Sequence, residues 1–201
     1  TFTGGTVANA TTFSSNVDID GELTLGTITD VESSITSIHS DLNNFTSGLK
    51  VYGDTDLNTA MGTNALASLD GGTQNSAFGY VALHDNTSGE KNSAFGYASL
   101  FHNTTGSMNS GFGRGSLNSN TIGNQNSAFG HEALNRLTTG SNNVAVGYRA
   151  LKEMTSMGSN VAVGYEAGYY TYSLYNCVAV GFQAMSKPTQ SGFNTWYSVA
   201  V

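Results

Sequence analysis

From Asn58 onward the chain repeats one order of polar and apolar positions every 17 residues. The blocks open NTAMGTNAL, NSAFGYVAL, NSAFGYASL, NSGFGRGSL, NSAFGHEAL, NVAVGYRAL and NVAVGYEAG, beginning at Asn58, Asn75, Asn92, Asn109, Asn126, Asn143 and Asn160. An eighth, CVAVGFQAM, begins at Cys177 in the same register, and SVAV at Ser198 opens a ninth, 21 residues later. A glycine recurs at Gly62, Gly79, Gly96, Gly113, Gly130, Gly147, Gly164 and Gly181, and a second set at Gly72, Gly89, Gly106, Gly123 and Gly140. Each block reads as short strand, glycine bend, short strand and polar turn. Two packed helices need a longer period than this. Glycine so frequent would also cost a helix about 1 kcal/mol each time. The pattern predicts a mainly β chain, a parallel β-solenoid or β-roll with one coil per repeat. Strands stacked about 4.8 Å apart give eight coils a rise of roughly 38 Å.

Side chains alternate across a strand. Ala77, Ala94, Ala128, Ala145, Ala162 and Ala179, with the glycines, form one face of small groups, which suggests close approach by another chain. Phe78, Phe95, Phe112, Phe129, Val146, Val163 and Val180 give the other face apolar surface to bury. Leu66, Leu83, Leu100, Leu117, Leu134 and Leu151 supply a second apolar column. The asparagine column predicts an amide ladder along the axis, as in stacked cross-β assemblies. Cys177 takes an asparagine place and reads as a small buried thiol.

Upstream the period changes. Ile28, Val31, Ile35, Ile38, Leu42, Phe45, Leu49 and Tyr52 are spaced alternately three and four apart, a heptad seam over residues 28–52. Thr29 to Glu32 fits a capping box and Gly48 a stop, which predicts a helix over about 30–47, roughly 27 Å long. A helix of that length needs partners. Isoleucine at both Ile35 and Ile38 favours trimers or tetramers over dimers. The oligomerising residues are Val31, Ile35, Ile38, Leu42, Phe45 and Leu49, in a parallel coiled coil of three or four strands. Residues 1–27 alternate and read as two or three short strands with a turn at Asp20-Gly21. Residues 53–201 are the solenoid.

Composition sharpens this picture. Glycine, serine, threonine and asparagine make up 94 of the 201 residues, which outside a periodic array would suggest a linker. Charged residues are 10%, too few for a charge-driven disordered tail. The net charge of −7 argues against nucleic acid. No run of about 18 apolar residues offers a membrane span, and the single Cys177 excludes a disulfide framework. The start at Thr1, without Met or leader, and the stop where the next glycine falls due read as a window cut from a longer array.

The N-x-A-Φ-G-x-x-A-L blocks and T-T-G turns resemble repeats of viral and phage tail fibres, as does the opening GGTVANATTFSSNVDIDGELTLG. More distantly, they resemble the S-V-A-Φ-G repeats in the heads of trimeric autotransporter adhesins. The resemblance implies a left-handed β-roll trimerised along its length, and with it a three-stranded coiled coil. It also implies a virion location, with other virion proteins and a host surface glycan or receptor as partners. Autotransporter heads usually precede their coiled-coil stalk, whereas here the coil comes first, which favours a fibre anchored near its N-terminus. The alternative location is a bacterial cell surface.

The chemistry-bearing residues are sparse. His39, His84, His102 and His131 share no spacing and no flanking cysteine, so neither a metal nor a cofactor is expected. Asp54, Asp56 and Asn58 imitate the start of a calcium loop, but Thr59 and Ala65 stand where glycine and glutamate belong. The column after the glycine holds Tyr80, Tyr97, Arg114, His131, Tyr148, Tyr165 and Phe182. It reads as a cation–π ladder serving structure or an intersubunit contact, or as a glycan-binding strip. Tyr169, Tyr170, Tyr172 and Tyr175 read as packing against a neighbour. The sequons at Asn9, Asn44, Asn86 and Asn103 read as chance. A depolymerase would need convergent carboxylates, and Asp70, Asp85, Glu90, Glu132, Glu153 and Glu166 are expected to share no column. The sequence thus supports a non-catalytic homotrimeric tail-fibre segment, with a surface adhesin and a fibre-borne depolymerase as alternatives.

Overall fold

The computed structural model describes residues 49–51, 56–170, 175–186 and 198–200. The expected strands over 1–27 and the coiled-coil positions Val31, Ile35, Ile38, Leu42 and Phe45 lie outside these residues. Leu49 does not: it opens strand β1 (Leu49–Val51). It is therefore on extended backbone, just past the stop expected at Gly48.

Nine further strands follow: β2 (Thr59–Met61), β3 (Ser76–Phe78), β4 (Ser93–Phe95), β5 (Ser110–Phe112), β6 (Ser127–Phe129), β7 (Val144–Val146), β8 (Val161–Val163), β9 (Cys177–Val180) and β10 (Ser198–Ala200). They form one sheet in sequence order. From β2 to β9 every pairing is parallel, with each residue opposite the one 17 later, as in Ala77 with Ala94. This is a parallel β-solenoid of 17-residue coils, with no helix among the described residues. β10 keeps the register across its longer connection, with Ser198 opposite Cys177. At the other end β1 pairs antiparallel with β2 and covers that edge. An uncovered edge would be a template for aggregation.

The turns stack as the strands do. The Leu66, Leu83 and Leu100 amides donate to the carbonyls of Ala82, Ser99 and Ser116 in the following coil, at 3.0, 3.0 and 2.9 Å. Backbone hydrogen bonds therefore run along the axis around most of the coil, which meets the demand of buried amides without a second sheet.

The interior is thin, and this settles which face is which. Ala60, Ala77, Ala94, Ala128, Ala145, Ala162 and Ala179 are at most 3% exposed and pack against the buried leucine column. The small-residue face is therefore the inside of the coil, not a surface open to another chain. The phenylalanine and valine column points outward instead, with Phe129 at 41% and Val146 at 37% exposure. A 17-residue coil leaves room for alanine under the strand only because leucine from the facing turn fills the rest. Two large columns would overpack it. Coil four shows the same constraint locally. Ser99 and Ser116 replace alanine on the inner turn, and a Cβ at Gly111 would lie 2.6 Å from the Ser99 hydroxyl.

The coil closes through residues in the left-handed region. In the coil beginning at Asn75 these are Val81, Leu83 and Lys91, at φ of 51, 51 and 56°. Each costs about 1–2 kcal/mol relative to a right-handed residue. Fully burying a leucine contributes about 1.5–3 kcal/mol, so the leucine column offsets its own backbone cost. The strand-end glycine is different. Gly96 has φ +135°, where a side chain is strained, and a Cβ would stand 2.7 Å from the Gly113 carbonyl carbon.

The amide ladder is present. Asn75 donates from Nδ2 to Asn58 Oδ1 at 3.1 Å and to the Gly89 carbonyl at 2.8 Å. Equivalent bonds link each asparagine to the next as far as Asn160, all within the buried interior. Cys177 ends the ladder: its backbone amide donates to Asn160 Oδ1 at 3.1 Å, and its thiol is buried.

A second ladder runs through Asn120 and two of the chance sequons, Asn86 and Asn103. Asn103 donates to Asn86 Oδ1 and Asn120 to Asn103 Oδ1, both at 2.7 Å and fully buried. Asn86 and Asn103 are thereby closed to glycosylation in the folded chain. The next place in this column is Leu137, which cannot donate, so Asn120 Oδ1 is left without a partner.

Candidate functional site

Two columns on the outer surface carry most of the chemistry, and the strand-end glycine positions the first. The residue after it lies on the outside of the bend, so 17-residue stacking superimposes successive side chains. Tyr80 stacks on Tyr97 with ring centroids 5.4 Å apart. The Arg114 guanidinium lies 5.5 Å over the Tyr97 ring, and its Nη1 is 3.2 Å from His131 Nε2. His131 stacks on Tyr148 at 5.4 Å, Tyr148 on Tyr165 at 5.1 Å, and Tyr165 on Phe182 at 5.2 Å. The six sequence-singled residues Tyr80, Tyr97, Arg114, His131, Tyr148 and Tyr165 thus form one continuous ladder. A parallel stack joins Phe78, Phe95, Phe112 and Phe129 at 4.8–5.0 Å.

The second column lies one residue on: Val81, Ala98, Gly115, Glu132, Arg149, Glu166 and Gln183. Glu132 and Glu166 do share a column, contrary to the expectation for the acidic residues, and Arg149 stands between them. Arg149 Nε donates to Glu132 Oε2 at 2.9 Å, and Lys152 Nζ reaches the same oxygen at 2.8 Å. The hydrogen bond from Lys152 does most to hold the Glu132 carboxyl below its usual range. It acts against the opposing push of burial and is helped by Arg149. The bond to Glu132 in turn raises the Arg149 guanidinium above its ordinary value. These carboxylates are engaged as ion-pair partners.

On another turn the register gathers residues that looked unrelated in sequence. Asp85 accepts from His84 Nδ1 at 2.6 Å and from His102 Nδ1 at 2.8 Å. Burial alone would push the Asp85 carboxyl up, but the hydrogen bonds and charges of the two histidines together outweigh it and hold it lower. Writing the sequence in blocks of 17 puts Asp85 and His102 in one column, and that was the available signal. Both Nδ1 atoms are spent on the carboxylate. Among the described residues no group of three His, Cys, Asp or Glu is arranged to hold a metal ion. The calcium-loop resemblance also loses a ligand, because the Asn58 side chain belongs to the buried ladder. Of the tyrosine group, Tyr169 meets Tyr170 edge-on at 4.5 Å with Lys152 5.9 Å over its ring, and Tyr175 is exposed. Tyr172 lies outside the described residues.

Between the aromatic ladder and the asparagine pair Asn118 and Asn135 the surface opens into a hollow of about 150 Å³, lined by Tyr97, Ala98, Arg114, Gly115, Glu132 and the two asparagines. Of these, the sequence singles out Tyr97 and Arg114 in the aromatic column and Glu132 among the acidic residues, without bringing them together. Compared with known proteins, the chain matches no family model, no curated protein and no solved structure.

Proposed function

We propose that the chain is a segment of a homotrimeric fibre on a virion, a phage or viral tail fibre, which supports host attachment mechanically and without catalysis. In this reading the coil is left-handed, three copies run in parallel, and the upstream heptad seam sets the three-fold symmetry. The observation that carries it is the outward apolar ridge Phe78, Phe95, Phe112, Phe129, Val146, Val163 and Val180, which continues coil after coil. A single thin solenoid leaves this ridge wet. Three copies bury it along their length, and contiguous exposed apolar surface of this kind marks an interaction site. Repeat-motif resemblance to tail fibres supports the choice. Sedimentation and native mass measurement should give a stable trimer, and replacing Phe95 and Phe112 together by Asp should shift it to monomer. A stable unaltered monomer overturns the reading.

The aromatic ladder favours a second reading, a bacterial surface adhesin that binds glycans through its exposed tyrosines. Tyr80 and Tyr97 are 51 and 52% exposed, so the ladder presents a row of aromatic edges along which a sugar chain would lie. Glycan binding lost in Tyr80→Ala and Tyr97→Ala would favour it over a passive shaft.

A further inference from the structure

We infer that the hollow at Gly115 is a binding site for a carboxylated sugar, such as a uronate or a sialate. This goes beyond the fibre reading, since an inert shaft and a sugar-binding shaft have the same mass and shape.

The first observation is the glycine itself. Gly115 has φ +65°, in the left-handed region that favours glycine. The same column nevertheless holds Val81, Ala98, Glu132, Arg149, Glu166 and Gln183 at φ of 50–55°. The backbone therefore does not require glycine here. What glycine does is leave out a side chain. A Cβ at this place would meet only Asn135 Nδ2 at 3.2 Å and Glu132 Cγ at 3.8 Å. Every other coil fills the position, and this one leaves it open.

The second observation is an uncommitted cation beside that opening. Arg136 pairs with Glu153 at 2.6 Å and Arg149 with Glu132 at 2.9 Å. Arg114 is exposed and has no carboxylate partner among the described residues. Its guanidinium lies 3.2 Å from His131 Nε2. A guanidinium only donates, so that nitrogen must be the acceptor and the proton must sit on Nδ1. Nδ1 is buried without a hydrogen-bond partner. An arginine held this way has a planar pair of N–H groups free for a bidentate carboxylate.

The remaining lining suits hydroxyl groups. The Tyr97 ring is held between Tyr80 and Arg114, so its half-exposed edge, not a face, borders the hollow. Asn118 and Asn135 spend Nδ2 on the Ala98 and Gly115 carbonyls, at 2.9 and 2.8 Å, and keep Oδ1 as acceptors. Glu132 receives Arg149 and Lys152 on Oε2, which neutralises it toward an anion and leaves Oε1 to accept a hydroxyl. Bound sugar therefore lies along the edge of Tyr97, places its carboxylate on Arg114 and turns hydroxyls toward the asparagines.

The test is a ligand-observed NMR titration of the full chain with methyl glucuronide, methyl sialoside and the neutral methyl glucoside. The acidic probes should bind about tenfold tighter than the neutral one, the gain expected of one charge-assisted pair. Arg114→Gln should abolish that preference. Gly115→Gln, which copies the Gln183 rung and so keeps the fold, should remove binding of all three. No binding, equal binding of the neutral sugar, or acidic binding that survives both substitutions overturns the proposal. Mass measured on the same sample keeps the two readings apart. A trimer that binds nothing removes the site alone, and a monomer that binds the acidic probes removes the fibre alone.

Discussion

Gly96 and Gly115 both have positive φ, yet a methyl group meets different surroundings at each. At Gly96 it would press on the next coil's backbone in a region that side chains avoid, so Gly96→Ala should cost about 3 kcal/mol or more. At Gly115 the backbone already suits non-glycine residues, and Gly115→Ala should change stability by under about 1 kcal/mol. Thermal melts followed by circular dichroism would separate the two. The asparagine ladder makes a second residue-scale prediction. Asn109 Oδ1 accepts from both the amide and the side chain of Asn126, at 3.0 and 3.2 Å. Asn109→Ala leaves those buried donors and the Gly123 carbonyl short of partners, at a cost of about 3 kcal/mol in the same melts. This ladder was legible in sequence because it runs unbroken. The ladder of Asn86, Asn103 and Asn120 was not, because leucine at Leu69 and Leu137 interrupts its column and hides the period.

At the scale of the element, a strand of three residues specifies alternation but not polarity. Alanine and phenylalanine fell correctly on opposite faces, and the sequence could not say which face was inside. The width of the closed coil decides that, and width depends on the turns. Nor could spacing show that valine and leucine would take left-handed backbone, since their intrinsic preference is against it and only burial reverses it. The charged turn column gives the element-scale prediction. Glu132 has its carboxyl depressed in the folded chain, so its stabilisation is complete above the ordinary carboxylate value and is lost as pH falls through the lower folded one. Glu132→Gln should therefore destabilise at pH 7, by about 1 kcal/mol for an ion pair at the surface. The difference from the unaltered chain should shrink as pH falls below the ordinary carboxylate range. Melts of both proteins across that range would check it, and a difference independent of pH would mean that packing, not charge, is lost.

For the molecule as a whole, period, parallel register and axial stacking were all readable, because a 17-residue repeat without insertion leaves one arrangement of strands. The hollow was not readable, because it arises from a missing side chain bordered by two columns four places apart within the block. The same regularity raises a problem of identity. β3, β4 and β6 all read Ser-Ala-Phe, and β7 and β8 both read Val-Ala-Val. A strand that docked one coil out of place would find near-duplicate neighbours, and the folding landscape would hold mis-threaded states close in energy to the native one. The departures from the consensus lift that degeneracy. Gly111 fits only against the Ser99 and Ser116 pair, and Leu137 fits only after the last rung of its amide ladder. Skipping the coil of Arg149 would set Glu132 directly on Glu166, like charge on like. Each coil carries an address written in its irregularities, and these positions let a nearly uniform array count its own turns.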